Sequence, residues 1–163
     1  MRGRIQAQVH ALLLPLQQIS LLVPTALIAE VVNLDDLVPV PRSPAWMLGA
    51  LNWRARAVPV VSFDVLLGHV PQPPGRRAKL VVFYPLEGRQ SWEYFAVMAA
   101  AEPQPRAFSD QDATQLKGAV AVSSSPYVAM ALNLGGELAV IPDFVTLYQT
   151  FYPAPRVSAT SRV

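Results

Sequence analysis

The chain has 163 residues, of which 52% are hydrophobic and 15% charged, with a formal net charge of +2 and no cysteine. It is too apolar for intrinsic disorder, and its length suits one domain or two small ones sharing an interface. Without cysteine there are no disulfides, no thiol catalysis and no cysteine-ligated metal, and a reducing, cytoplasmic setting is expected.

The longest apolar windows, 11–16 and 19–27, are cut by Pro15, Gln17, Gln18, Ser20 and Pro24, so neither approaches the roughly 20 residues a membrane-spanning helix needs. No direct membrane insertion is expected. Arg2 and Arg4 ahead of an apolar stretch have the outline of a secretory leader, but the glutamines interrupt it and no clean small-x-small site follows. The segment reads as a first strand. The sixteen prolines lie along the whole chain and argue against long helices, because each removes an amide donor and disfavours helical geometry in the residue before it.

Taken in order, 9–15 and 19–23 form an opening hairpin through Gln17-Gln18, followed by a strand or short turn over 26–32 and a loop over 34–42. One helical turn is expected over 44–48, capped by Ser43. Residues 50–51 then pair with 56–63 across a polar turn at 52–56, and 64–67 close the unit. The stretch 68–78, with Pro71, Pro73, Pro74 and Gly75, has the composition of a linker.

Beyond it, 79–86 and 92–99 are rich in strand-forming residues and flank 87–90 as a second hairpin. Residues 101–112 read as a polar, proline-bearing loop. The last hairpin is 127–134 with 138–141, turned by Gly135-Gly136, whose freedom to adopt positive φ suits a tight turn. Residues 152–163 read as a flexible tail that begins near Phe151.

Residues 51–63 align without gaps with 132–144, with identities at Leu51/Leu132, Asn52/Asn133 and Phe63/Phe144. With similar apolar-turn-apolar outlines, this favours two related β subdomains inside one domain of 1–151: about 9–75 with a closing strand, and 76–150.

No catalytic constellation is present in the sequence. His10 and His69 are far apart and share no motif, and they read as surface residues rather than metal ligands or bases. Asp35-Asp36 reads as a turn starter, and Ser123 to Ser125 as a loop without a partner base. Gly135-Gly136 is not followed by a helix start, so no phosphate-binding glycine motif arises. No cofactor and no metal are expected.

Asn52, Arg54 and Arg56 are the binding candidates, because a polar turn between two apolar runs must send its side chains outward. Asn52 also suits capping of the turn, and the arginine fork of Arg54 suits a carboxylate. Glu30 reads as a solvated strand residue or as a charged rim of the same surface, and Trp46 and Trp53 as core or interface.

The runs Ala29-Glu30-Val31-Val32, Leu37-Val38-Pro39-Val40-Pro41 and Pro44-Ala45-Trp46-Met47-Leu48-Gly49-Ala50-Leu51-Asn52-Trp53-Arg54 with Val58-Pro59-Val60-Val61 resemble the CheW family of bacterial chemotaxis adaptors. The likeness continues at Phe95-Ala96-Val97-Met98, Leu116-Lys117-Gly118-Ala119-Val120 and Leu138-Ala139-Val140-Ile141-Pro142-Asp143, covering about 9–149 in unbroken order. The resemblance implies a mainly β fold of two intertwined five-stranded β-barrels with short helical turns and no enzymatic activity. It also implies a scaffold joining methyl-accepting chemoreceptors to a CheA-type histidine kinase, for flagellar or type IV pilus motility. By the same resemblance, Asn52 and Arg54 form the partner-contacting turn beside Arg56, Gly49 is the glycine of the preceding strand, and Ile28 and Glu30 belong to the first-barrel groove and its acidic rim.

Where the family usually has glycine after the turn arginine, this chain has Ala55. An alanine held left-handed there costs about 1–2 kcal/mol. The alternative to an adaptor is a small-barrel nucleic-acid binder, which needs aromatics beside the arginines, and Trp53 with Arg54 and Arg56 is the hint of it.

Overall fold

The computed structural model describes residues 8–35, 37–109, 113–116 and 124–154, the strand at 113–116 by its backbone alone. Among the described residues, eleven strands fall into two sheets. Strands β1 (Val9–Pro15) and β2 (Ser20–Pro24) form the expected hairpin through Gln17-Gln18, and a 3-10 turn at Thr25–Leu27 leads into β3 (Ile28–Asn33). Strands β4 (Met47–Trp53) and β5 (Arg56–Val61) form the second hairpin, followed by the short helix α1 (Phe63–Leu66). Then come β6 (Lys79–Phe83), β7 (Phe95–Ala99), β8 (Gln104–Phe108), β9 (Ala113–Leu116), β10 (Val128–Leu134), β11 (Glu137–Pro142) and helix α2 (Phe144–Phe151).

One sheet has five strands in the order β3-β6-β7-β5-β4, and the other has six in the order β8-β1-β2-β11-β10-β9. The fold is the mainly β, two-sheet architecture expected, with one strand more in the second sheet. Among the described residues neither ladder closes on itself, so these are open sheets rather than closed barrels. The chain is intertwined: the opening hairpin β1-β2 belongs to the second sheet, where β2 runs parallel to β11 and joins it to residues 104–142. The proline-rich stretch 68–78 connects α1 to β6 within the five-stranded sheet and separates nothing, so a division near residue 75 does not coincide with the sheets.

Both faces of the central strands are buried, because each sheet wraps a small core of its own and packs its other face on its neighbour. In β6 and β7, Leu80, Val82 and Ala96 join Leu51, Trp53, Val58 and Val60 inside the five-stranded sheet. Val81, Phe83, Phe95 and Val97 point the other way and meet Leu14, Leu21 and Val23 of the second sheet. Leu147 and Tyr148 of α2 complete this inter-sheet core. A third cluster, Ala11, Leu13, Leu22, Leu132 and Ala139, fills the second sheet.

Four local expectations change. Residues 44–48 form a turn and the start of β4 rather than a helical turn, with the Met47 amide donating to the Pro44 carbonyl (3.0 Å). The supposed loop 101–112 contains β8, an edge strand beside β1, where Pro105 is tolerated because an edge leaves one row of amides unused. The eight-residue helix α2 replaces an unassigned stretch after β11, capped by Asp143, whose carboxylate accepts from the Thr146 amide (3.0 Å). Tyr152, placed in the tail by sequence, is hydrogen-bonded to the body through its hydroxyl, amide and carbonyl. Residues 155–163 of that tail, together with Asp36, Lys117 to Val120 and Ser123, lie outside the described residues.

A candidate partner-binding corner at the seam of the five-stranded sheet

The β4-β5 hairpin turns through two residues, Arg54 and Ala55, with φ of 47° and 59°. Positive φ at both central positions is the type I′ geometry that matches strand twist in a two-residue hairpin. The turn is therefore shorter than the expected 52–56: Asn52 and Trp53 lie in β4, and Arg56 opens β5 opposite Trp53. Alternation along β4 buries Leu51 and Trp53 and exposes Asn52, while Arg54, Ala55 and Arg56 are exposed at the tip.

This corner sits where the two edge strands of the sheet, β3 and β4, come together without pairing. Side chains close the seam that the backbone leaves open. The Trp53 indole Nε1 donates to Glu30 Oε2 across it (2.6 Å), and the Arg54 guanidinium approaches the same oxygen at 3.5 Å. Arg54 also lies over the Trp53 ring, 4.4 Å from its centroid. Trp53 in turn packs on Tyr94 (5.0 Å between centroids), over which Arg56 is poised at 5.4 Å. The result is a stack of two guanidinium groups and two rings with Glu30 at its side.

The stack keeps its charged heads wet. The Arg54 and Glu30 side chains are 61% and 43% exposed, whereas Trp53 is 6% exposed. An ion pair this open is worth no more than about 1 kcal/mol, so the corner adds little to the fold through its charges. The indole-to-carboxylate hydrogen bond is the stronger element, being charge-assisted and partly sheltered. Asn52 has no hydrogen-bond partner for its amide among the described residues. Its counterpart Asn133 caps its own turn, accepting from the Gly136 amide (2.7 Å). The amide of Asn52 thus stays available at the surface.

The sequence candidates separate into two groups. Asn52, Arg54, Arg56 and Glu30 come together at the corner. Gly49 and Ile28 do not reach its surface: Gly49 is buried and Ile28 half-buried against the inter-sheet core. Gly49 has φ of 150°, and a Cβ there would stand 2.9 Å from both the Leu37 Cβ and the Val38 carbonyl oxygen. Its bareness lets 37–38 run against β4, where Val38 exchanges hydrogen bonds with Ala50 (3.0 and 2.9 Å) and covers the edge. Val38, Ala50, Ala57, Asn52 and Arg56 line a shallow apolar hollow beside the corner.

Trp53 is core rather than an exposed platform, so the aromatic face on which the nucleic-acid alternative depends is occupied by Arg54 and Tyr94. Sequence reading missed Tyr94, seen there only as a strand former. Its position opposite Trp53 depends on a pairing of β5 with β7 that no local pattern announces. Among the described residues no group of three or more histidine, aspartate or glutamate side chains is arranged to hold a metal ion.

A model of the CheW-like domain matches residues 10–151. Among solved structures, the crystal structure of the scaffolding protein TtCheW from Thermoanaerobacter tengcongensis is similar, with a TM-score of 0.68 at 12% identity, over 83% of this chain and 89% of that one. No curated protein matches the sequence.

Proposed function

Because the chain belongs to the family of CheW-like domains, we propose that it is a non-enzymatic cytoplasmic adaptor that couples methyl-accepting chemoreceptors to a CheA-type histidine kinase, in a pathway driving flagella or type IV pili. The observation that carries this reading is the corner itself. Asn52, Arg54, Arg56 and Glu30 stand exposed on a seam held by Trp53, and their charges do little for stability. Such a group sets partner choice and orientation rather than holding the fold.

The chemistry of recognition follows from the side chains. Arg54 offers a planar fork, one side of which leans on Glu30 while the rest is free to meet a carboxylate or backbone carbonyl. Asn52 offers an unused amide, and the hollow from Val38 to Ala57 accepts a small apolar side chain. An interface this small is weak singly and gains strength when many copies assemble into an array.

Arg54→Glu is the test, because it sets a second carboxylate beside Glu30 and reverses the charge offered to a partner. Its melting temperature is expected to stay within a few degrees of wild type, while pull-down of the kinase or receptor from the native cell is lost. Undiminished capture of both by the variant removes the corner from the partner surface.

A further inference from the structure

The docking corner rests on a ring whose own position is set from the far end of the chain. Tyr94 lies just before β7, at the close of the loop that leaves β6, and its ring carries both the Trp53 indole and the Arg56 guanidinium. Its backbone carbonyl accepts a hydrogen bond from the Tyr152 hydroxyl at 2.6 Å, immediately beyond α2. At the other end of the same loop, the Tyr84 carbonyl accepts from the Tyr148 hydroxyl. Arg89, within the loop, donates to the Tyr152 carbonyl (3.2 Å) and pairs with Glu93 (3.5 Å). Helix α2 and the residue that follows it thus clamp both ends and the middle of the loop 84–94.

Two features single out Tyr94 from an ordinary packed tyrosine. Its hydroxyl has no hydrogen-bond partner among the described residues, so the ring and the carbonyl do the holding. The ring and the Trp53 indole on which it packs carry the two arginines, Arg56 over Tyr94 and Arg54 over Trp53, so any shift of the Tyr94 backbone moves the indole, and with it the hydrogen bond that orients Glu30 toward Arg54.

We infer that Tyr94 is a positioning residue of the docking corner, and that the Tyr152 hydroxyl fixes where Tyr94 stands. This rests on the corner being a partner surface. Tyr94 supplies a platform rather than a contact: it preorganises Arg54, Arg56 and Glu30, so that ordering them is not charged to the binding step. The C-terminal helix therefore controls partner affinity from a place that no partner at the corner touches.

The experiment uses the full chain in a Trp46→Phe, Trp92→Phe background, which leaves Trp53 as the reporter, and the purified CheA-type kinase of the same cell as the binding probe. Tyr94→Leu and Tyr152→Phe are expected to raise acrylamide quenching of Trp53 and to weaken kinase binding, by about tenfold for Tyr94→Leu, the scale of losing one ordered interface side chain. Tyr94→Phe, which keeps ring and carbonyl, is expected to match the parent in both. All variants are compared well below their melting temperatures, and Arg54→Glu is measured alongside.

Parent-like quenching in Tyr94→Leu and Tyr152→Phe overturns the positioning role on the free protein alone, whatever the kinase does. Parent-like affinity in Tyr94→Leu while Arg54→Glu loses binding overturns it for recognition. If Arg54→Glu binds as the parent does, it is the partner reading that fails, and the quenching still decides whether Tyr94 sets the corner.

Discussion

Ala55 occupies a backbone state that suits glycine. At φ 59° it is one of two consecutive left-handed residues in the turn, with Arg54 at 47°. The strain at Ala55 is about 1–2 kcal/mol, and a glycine there escapes it while making the unfolded chain looser by about 0.4–1 kcal/mol. Ala55→Gly is therefore expected to stabilise the protein by up to about 1.6 kcal/mol, read as a higher denaturant midpoint at unchanged slope. The same glycine frees the turn that carries Arg54, so tighter folding comes with a looser corner. The departure at this position was legible in the sequence once the asparagine-x-arginine turn was recognised. The roles of Gly49 and Trp53 were not, because the first depends on the approach of 37–38 and the second on Glu30 across an unpaired seam.

The hairpins were legible because each is a local event: two apolar runs around a turn, with Gly135 and Gly136 at φ of 62° and 93° in the last. The elements that escaped were those whose partners are distant. Strand β8 is mostly exposed and contains Pro105, so nothing in its own pattern marks it, and only pairing with β1 makes it a strand. Helix α2 is rich in aromatic and β-branched residues, which are not strong helix formers, and the signal that betrays it is the cap of Asp143 on Thr146. Short helix α1 has the same device, Ser62 accepting from the Val65 amide, and adds a longer reach. The buried Asp64 carboxylate accepts from the amides of Gln17 and Gln18 at 3.2 and 3.3 Å, tying the opening hairpin of the second sheet to the helix that follows β5. Asp64→Ala leaves both amides without that acceptor and is expected to cost about 1–3 kcal/mol, measured by urea unfolding followed through tryptophan fluorescence.

Seen whole, the alignment of 51–63 with 132–144 describes a structural repeat: strand, two-residue turn, strand, capping residue and helix recur from β4 to α1 and from β10 to α2. What the alignment does not reveal is that each repeat takes its neighbouring hairpin from a different side, β6-β7 following the first and β1-β2 preceding the second by most of the chain. The longer second helix turns this exchange into a lock, since Tyr148 is buried between the sheets and Tyr152 holds the loop of the first. Burial raises the pKa of both phenols, Tyr148 strongly, with the neighbouring Tyr152 adding to it, and Tyr152 to about 12, with Glu93 adding to it. A phenol whose pKa is higher folded than unfolded keeps its proton in the native state while the unfolded chain loses it, so stability falls as pH rises through that interval. The contribution is complete below about pH 10, where unfolded tyrosine is neutral, and for Tyr152 it is gone by about pH 12. Urea midpoints stepped from pH 9 to 12 are expected to hold until about 10 and then decline, and Tyr152→Phe should make the decline shallower by removing one of the titrating phenols. An equally steep decline in that variant would mean that the lock at the end of α2 does not carry the alkaline sensitivity of the fold.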